Sequence, residues 1–162
     1  MLAVIEVADQ AGARLWLDGG RGVDALLGGQ TREHGDLDVA VEAHQLDSLL
    51  NGLHRAGFAR LGEQGATAWN FLVAHPGGAV VDLQVIERDA DGNGVLSPAE
   101  VGHAYPAQSL TGRGRLGERE VDCVSADWVV RFHDAYPGDG PDRADVRALC
   151  ARFGLEVPEQ YR

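Results

Sequence analysis

Residues 36–41, Asp-Leu-Asp-Val-Ala-Val, constrain this chain more than any other segment. Alternating polar and apolar residues predict a half-buried strand, because successive strand side chains point to opposite faces. Residues two apart share a face, so Asp36 and Asp38 project together while Leu37 packs inward. Two carboxylates at that spacing repel each other unless a cation lies between them, and magnesium, which prefers hard oxygen ligands, relieves that repulsion. A second apolar run, Val80-Val81-Asp82-Leu83, is interrupted by one aspartate, which is costly to bury without a partner. On a strand beside the first, Asp82 completes a three-carboxylate cluster. Such a cluster can hold two magnesium ions, one at an acceptor hydroxyl and one at a triphosphate, the apparatus of phosphoryl and nucleotidyl transfer. Asp-x-Asp alone more often flanks a turn or pairs with a surface arginine; its weight comes from Asp82 and from the glycines upstream.

Those glycines, Gly19 and Gly20, follow a short predicted strand (14–17) and open a helical stretch (23–27) closed by Gly28-Gly29. Glycines there let backbone N–H groups approach phosphate oxygens, and the helix N-terminus adds a favourable field. Gly20-Arg21-Gly22-Val23-Asp24-Ala25 also fits the dinucleotide fingerprint G-x-G-x-x-A. Its helix, ending within about two turns, is too short for the crossover which that fold requires.

The rest of the chain reads as one α+β domain, a mixed sheet flanked by helices. Helical spacing covers 2–12 and 44–56, strands are expected at 58–61, 68–74, 79–86 and 120–124, and helices at 127–135 and 142–153. The core spans about 1–88, residues 89–118 read as a long irregular loop rich in Gly, Asp and Pro, and a strand and helices close the chain over 119–157. At 162 residues the chain can bury a sizeable core. Twenty-five acidic against 14 basic residues give a net charge of −11. Such a surface repels nucleic acid and favours a cationic small molecule. No apolar stretch approaches the roughly 18 residues of a membrane span, and the N-terminus lacks the features of a signal peptide. Cys123 and Cys150 form no metal or redox pair, and buried reduced thiols in a cytoplasmic protein are expected.

Trp16-Leu17-Asp18-Gly19-Gly20, Gly22-Val23-Asp24-Ala25-Leu26, Arg32-Glu33-His34 and Asp36-Leu37-Asp38 together resemble the small lincosamide nucleotidyltransferases. They are similar also to the aminoglycoside 2''-adenylyltransferase group of the DNA polymerase β-like superfamily. The likeness continues through 119–125, Phe132-His133, Tyr136 and Asp142-x-x-Asp145, so that it covers nearly all of the chain. Arg21 stands where this resemblance leads one to expect tryptophan. It implies a polymerase β-like nucleotidyltransferase fold with a short C-terminal helical part. It further implies a triphosphate steadied by Gly19, Gly20 and Arg32, with His34 a candidate phosphate contact. Asp36 and Asp38 would ligate magnesium, and Asp82 would complete the cluster; Asp82 or a nearby group would take the acceptor's proton. The acceptor, a lincosamide or aminoglycoside, would meet His133 and Tyr136, which share a helix face. So short a chain offers little wall around an acceptor, and a homodimer sharing its cleft is expected. An inactive domain of this family, kept as a binding module, is the rival reading.

Residues 89–100 match an EF-hand calcium loop, with Asp89, Asp91, Asn93, Val95 and Glu100 at ligand positions. An EF-hand needs a helix on each side, and a β-rich run precedes this loop. A turn rich in Asp, Asn and Gly joining two strands is the expected structure, and a calcium-binding module is the alternative it leaves.

Overall fold

The structure, a computed structural model, describes residues 1–62, 64–96 and 104–162. Helix α1 (Leu2–Ala11) turns Val4, Ile5 and Ala8 inward and leads into the fully buried strand β1 (Leu15–Leu17). Helix α2 (Gly19–Leu27) begins at once, and strand β2 (Leu37–Glu42) and helix α3 (Ala43–Arg55) follow. Strands β3 (Ala59–Arg60), β4 (Asn70–Ala74) and β5 (Val80–Arg88) complete the first half.

The segment 89–118, expected to be irregular, carries three strands among its described residues. They are β6 (Gly94–Leu96), β7 (Ala104–Tyr105) and β8 (Gly112–Leu116), with a 3-10 turn at Ala107–Thr111. Strand β9 (Arg119–Cys123) and helices α4 (Ala126–Asp134) and α5 (Gly140–Phe153) close the domain.

The described strands form a single mixed sheet in the order β3-β4-β5-β2-β1-β9-β8, with β6 also paired to β5 and carrying β7. Helix α1 packs on α3, while α2 packs on β8, α4 and α5. Strand β2 runs antiparallel to β1 but parallel to β5. The β1–α2–β2 unit is therefore not a parallel crossover, which removes the dinucleotide-fingerprint reading of Gly20–Ala25. The core is aliphatic around Trp16, which is fully buried and donates its Nε1–H to Leu110 O (2.9 Å). Cys123 and Cys150 are free and buried, and burial pushes the Cys123 thiol up to about 12. No described helix is long and apolar enough to cross a membrane.

Candidate active site

Parallel pairing of β2 with β5 sets Asp38 beside Asp82 in register, flanked by Leu37↔Val81 and Val39↔Leu83. Leu37, Val39, Val81 and Leu83 are buried, so alternation along both strands turns the two carboxylates to one shared face. Asp36, exposed, lies just ahead of β2. Asn70 Nδ2 on β4 donates to Asp82 Oδ1 (2.7 Å) and holds that carboxylate in place. Burial, and then Asp36, Asp18 and Asp82, push the Asp38 carboxyl up to about 7. Among the described residues no three His, Cys, Asp or Glu side chains converge closely enough to enclose an ion as they stand. The hard oxygen donors of Asp36, Asp38 and Asp82 are nevertheless of the kind a divalent cation takes, with Asp38 and Asp82 paired in register.

Asp18 is a fourth carboxylate, and the spacing of the aspartates did not find it. It is the N-cap of α2: Gly19 N–H donates to its Oδ1 (2.9 Å), and its own N–H donates to Asp38 O (3.0 Å). An aspartate directly before a helix start is the expected cap, so this signal was available. The Tyr105 hydroxyl donates to Asp18 Oδ2 (2.8 Å) and also meets the Gln84 side-chain amide. Burial raises the Asp18 carboxyl above its usual range, against the hydrogen bonds from Tyr105 and Gly19. Burial, then the Asp18 charge, holds the Tyr105 hydroxyl well above its usual range.

The two glycines are there for want of room. Gly19 has φ +52°, and a Cβ on it would stand 2.8 Å from Asp38 Cγ and overlap the carboxylate oxygen. A Cβ on Gly20 would run into the His34 ring and lie 2.9 Å from Arg32 Nη2. The first turn of α2 thus lies directly under Asp38, His34 and Arg32, with its backbone N–H groups and dipole beside the carboxylates.

Arg32 and His34 reach that place because two buried acids pin the segment between α2 and β2. Asp24 Oδ1, on α2, accepts from Thr31 N (2.8 Å) and Thr31 Oγ1 (2.7 Å), and Oδ2 accepts from His34 Nε2 (2.8 Å). Asp145, on α5, pairs with Arg32 (2.9 Å). His34, expected at a phosphate, is thus spent in part on holding its own loop. His133 donates Nδ1–H to Val129 O (2.8 Å) and lies 3.6 Å from Asp142, with the Tyr136 ring 5.8 Å away. The two were expected on one helix face, but α4 ends at Asp134 and Tyr136 follows it, so that their rings meet across the helix end; His133 lies within electrostatic reach of Asp18. Burial, then Asp142, pushes the exposed Tyr136 hydroxyl up to about 12.

The segment expected as a possible calcium loop is a hairpin turn between β5 and β6, which pair Arg88↔Gly94. Asp89 Oδ1 accepts from Asp91 N (2.9 Å) and Asn93 N (2.8 Å), and Oδ2 accepts from Asn93 Nδ2 (2.9 Å). Asn93 Oδ1 in turn accepts from Ala107 N (2.9 Å), and Val95 sits in β6 opposite Glu87 and Ala104. Glu100 lies outside the described residues.

The family described as aminoglycoside-2''-adenylyltransferase matches residues 1–149. A lincosamide resistance protein of Staphylococcus haemolyticus is 25% identical over 146 residues, 90% of this chain and 89% of its own. The lincomycin-bound crystal structure of the lincosamide antibiotic adenylyltransferase LnuA superposes with a TM-score of 0.77 at 26% identity, covering 91% of this chain and 92% of that one. The crystal structure of ANT(2'')-Ia with adenylyl-2''-tobramycin shares the fold, with a TM-score of 0.73 at 22% identity over 94% and 86% of the two chains. By these likenesses this chain is a nucleotidyltransferase and belongs to the aminoglycoside-2''-adenylyltransferase family.

Proposed function

We propose that the protein transfers a nucleoside monophosphate from an NTP to a hydroxyl of a small cationic molecule, a lincosamide or an aminoglycoside, in a reaction that depends on magnesium. The observation that carries this reading is the in-register pair Asp38↔Asp82 on the open sheet face, with Asp36 beside it and the start of α2 beneath. In this reading Asp36, Asp38 and Asp82 hold the metal, with two ions expected. A divalent cation bound there neutralises triphosphate charge and makes the acceptor hydroxyl more acidic. The glycine turn at Gly19 and Gly20, with Arg32 and His34, holds the phosphates. Asp82, oriented by Asn70, accepts the hydroxyl proton as the oxygen bonds to the α-phosphorus and the bond to the leaving pyrophosphate breaks. His133 and Tyr136 border the acceptor side.

Lincosamides come first among acceptors, because the lincosamide enzyme is the more identical of the two, 26% against 22%, over 91% of this chain and 92% of its own. Both classes carry amines, and the net charge of −11 favours them. The protein acts in the cytoplasm, where NTPs are abundant, and as a homodimer whose second copy widens the acceptor wall. A monomer by sedimentation under assay conditions would remove the dimer from this reading.

The reaction is tested by mass spectrometry with magnesium, each of the four NTPs and a panel of lincosamides and aminoglycosides. A product heavier by one nucleotidyl group, made by the wild type and missing with Asp38→Ala, is expected and names both substrates. Wild-type protein that binds no NTP and forms no product with any acceptor would overturn the reading.

A further inference from the structure

We infer that Asp145, on α5, is a positioning residue for the donor site: it holds the Arg32 guanidinium over the first turn of α2, where the triphosphate lies. This rests on the nucleotidyl-transfer reading above. Asp145 is 3% exposed and Arg32, 113 positions earlier, approaches it with two N–H groups, Nη2 at 2.9 Å and Nε at 3.3 Å from Oδ2. The Arg32 side chain is 36% exposed, so this ion pair has one buried end and one open end.

The same Nη2 that meets Asp145 also faces the start of α2. A Cβ on Gly20 would lie 2.9 Å from Arg32 Nη2, which places the guanidinium against the backbone of the helix start. Two positive features, the guanidinium and the helix N-terminus, are thereby brought together. Without a phosphate they do not attract each other, and a free arginine on a loop would swing into water. The buried carboxylate supplies the force that keeps them together. It also needs Arg32, since a carboxylate removed from water is strongly destabilising without a charged partner. A guanidinium carries five N–H donors in a rigid fork. Asp145 engages the Nε and Nη2 edge and Glu33 O accepts from Nη1 (3.4 Å), which leaves one N–H on each terminal nitrogen to serve a phosphate without refolding. Less rotamer freedom is then lost on binding.

A second anchor supports this reading. Asp24, also buried, holds Thr31 and His34 on either side of Arg32 from a different helix. The segment is thus clamped by α2 and α5 together, and α5 becomes part of the donor site although it lies far along the chain from the glycine turn.

The experiment is calorimetric titration with ATP, GTP, CTP and UTP, each with magnesium, on wild type, Asp145→Asn, Arg32→Gln and the double variant. For the NTP that wild type binds, Asp145→Asn should weaken binding roughly tenfold to a hundredfold. The double variant should bind no worse than Arg32→Gln alone, because Asp145 acts through Arg32. In steady state, KM for the NTP should rise while KM for the acceptor and kcat at saturating NTP stay close to wild type. Asp145→Asn with wild-type NTP affinity, or single effects that multiply in the double variant, would overturn the assignment. Should Asp145→Asn fail to fold, Arg32→Gln against the double variant decides: equal affinity supports it and further loss overturns it. Wild type that binds none of the four NTPs overturns the nucleotidyl reading itself, a result distinct from an Asp145 variant that binds normally.

Discussion

Asp38 shows how one side chain reports the chemistry around it. Its carboxyl titrates at about 7 in the folded protein, against a value of 3.8 for the free side chain, because it is buried and has Asp36, Asp18 and Asp82 around it. Between about pH 4 and about pH 7 the metal-free folded protein keeps a proton that the unfolded chain has released. Stability therefore falls as pH rises through that window and levels off above it. Magnesium needs the ionised carboxylate, so its stabilising effect should be greatest above pH 7 and shrink as the pH drops below it. Melting temperatures with a chelator and with magnesium test this. Wild type should lose stability across the window relative to Asp38→Asn, and an identical profile in the two proteins would assign the effect to other groups. Asp36, Asp38 and Asp82 are legible in sequence because strand alternation needs only neighbouring residues. Asp145 and Tyr105 are not, because their partners Arg32 and Asp18 lie 113 and 87 positions away.

Among the elements, α5 is specified by its own first residues. Asp139 accepts from Asp142 N–H (3.0 Å), and the Asp142 side chain accepts from Asp139 N–H (3.2 Å), a reciprocal cap with Pro141 inside the first turn. Asp139→Ala should lower stability by about 1 kcal/mol, read as a shift of the urea midpoint at unchanged slope. Because α5 carries Asp145, the same variant should also loosen NTP binding; a stability loss with donor affinity untouched would separate the cap from the donor site. Strands β6, β7 and β8 were read as irregular for a physical reason. Their lengths of three, two and five residues are too short for a period to stand out. In β8, Gly112-Arg113-Gly114-Arg115-Leu116, the inward positions are mostly glycine, so the apolar half of the alternation is missing. Those glycines are required: a Cβ on Gly114 would stand 2.6 Å from the backbone of Ala25, where α2 lies against the strand. The EF-hand-like run forms the turn between two strands that its composition led one to expect. Its Asp and Asn side chains serve the tight turn of a hairpin, and the same residue types suit both uses.

At the scale of the whole molecule the charge of −11 acts on encounter rather than on the fold. KM for a cationic acceptor should rise several-fold as ionic strength goes from about 0.01 M to about 0.3 M, because the screening length falls from about 30 Å to below about 10 Å. KM for the NTP, itself an anion, should not rise in parallel; equal increases for both substrates would remove electrostatic attraction as the cause. Length, charge, the two same-face aspartates, the lone aspartate in an apolar strand and the glycine turn were determined by the chain alone, since each is a local pattern of residues with known geometry. The tertiary structure alone decided that β2 pairs parallel with β5 in the register that sets Asp38 beside Asp82, and that α5 returns to hold Arg32. Register and long-range ion pairs arise from burying apolar faces and satisfying buried charges across the whole fold, and no stretch of sequence contains both partners.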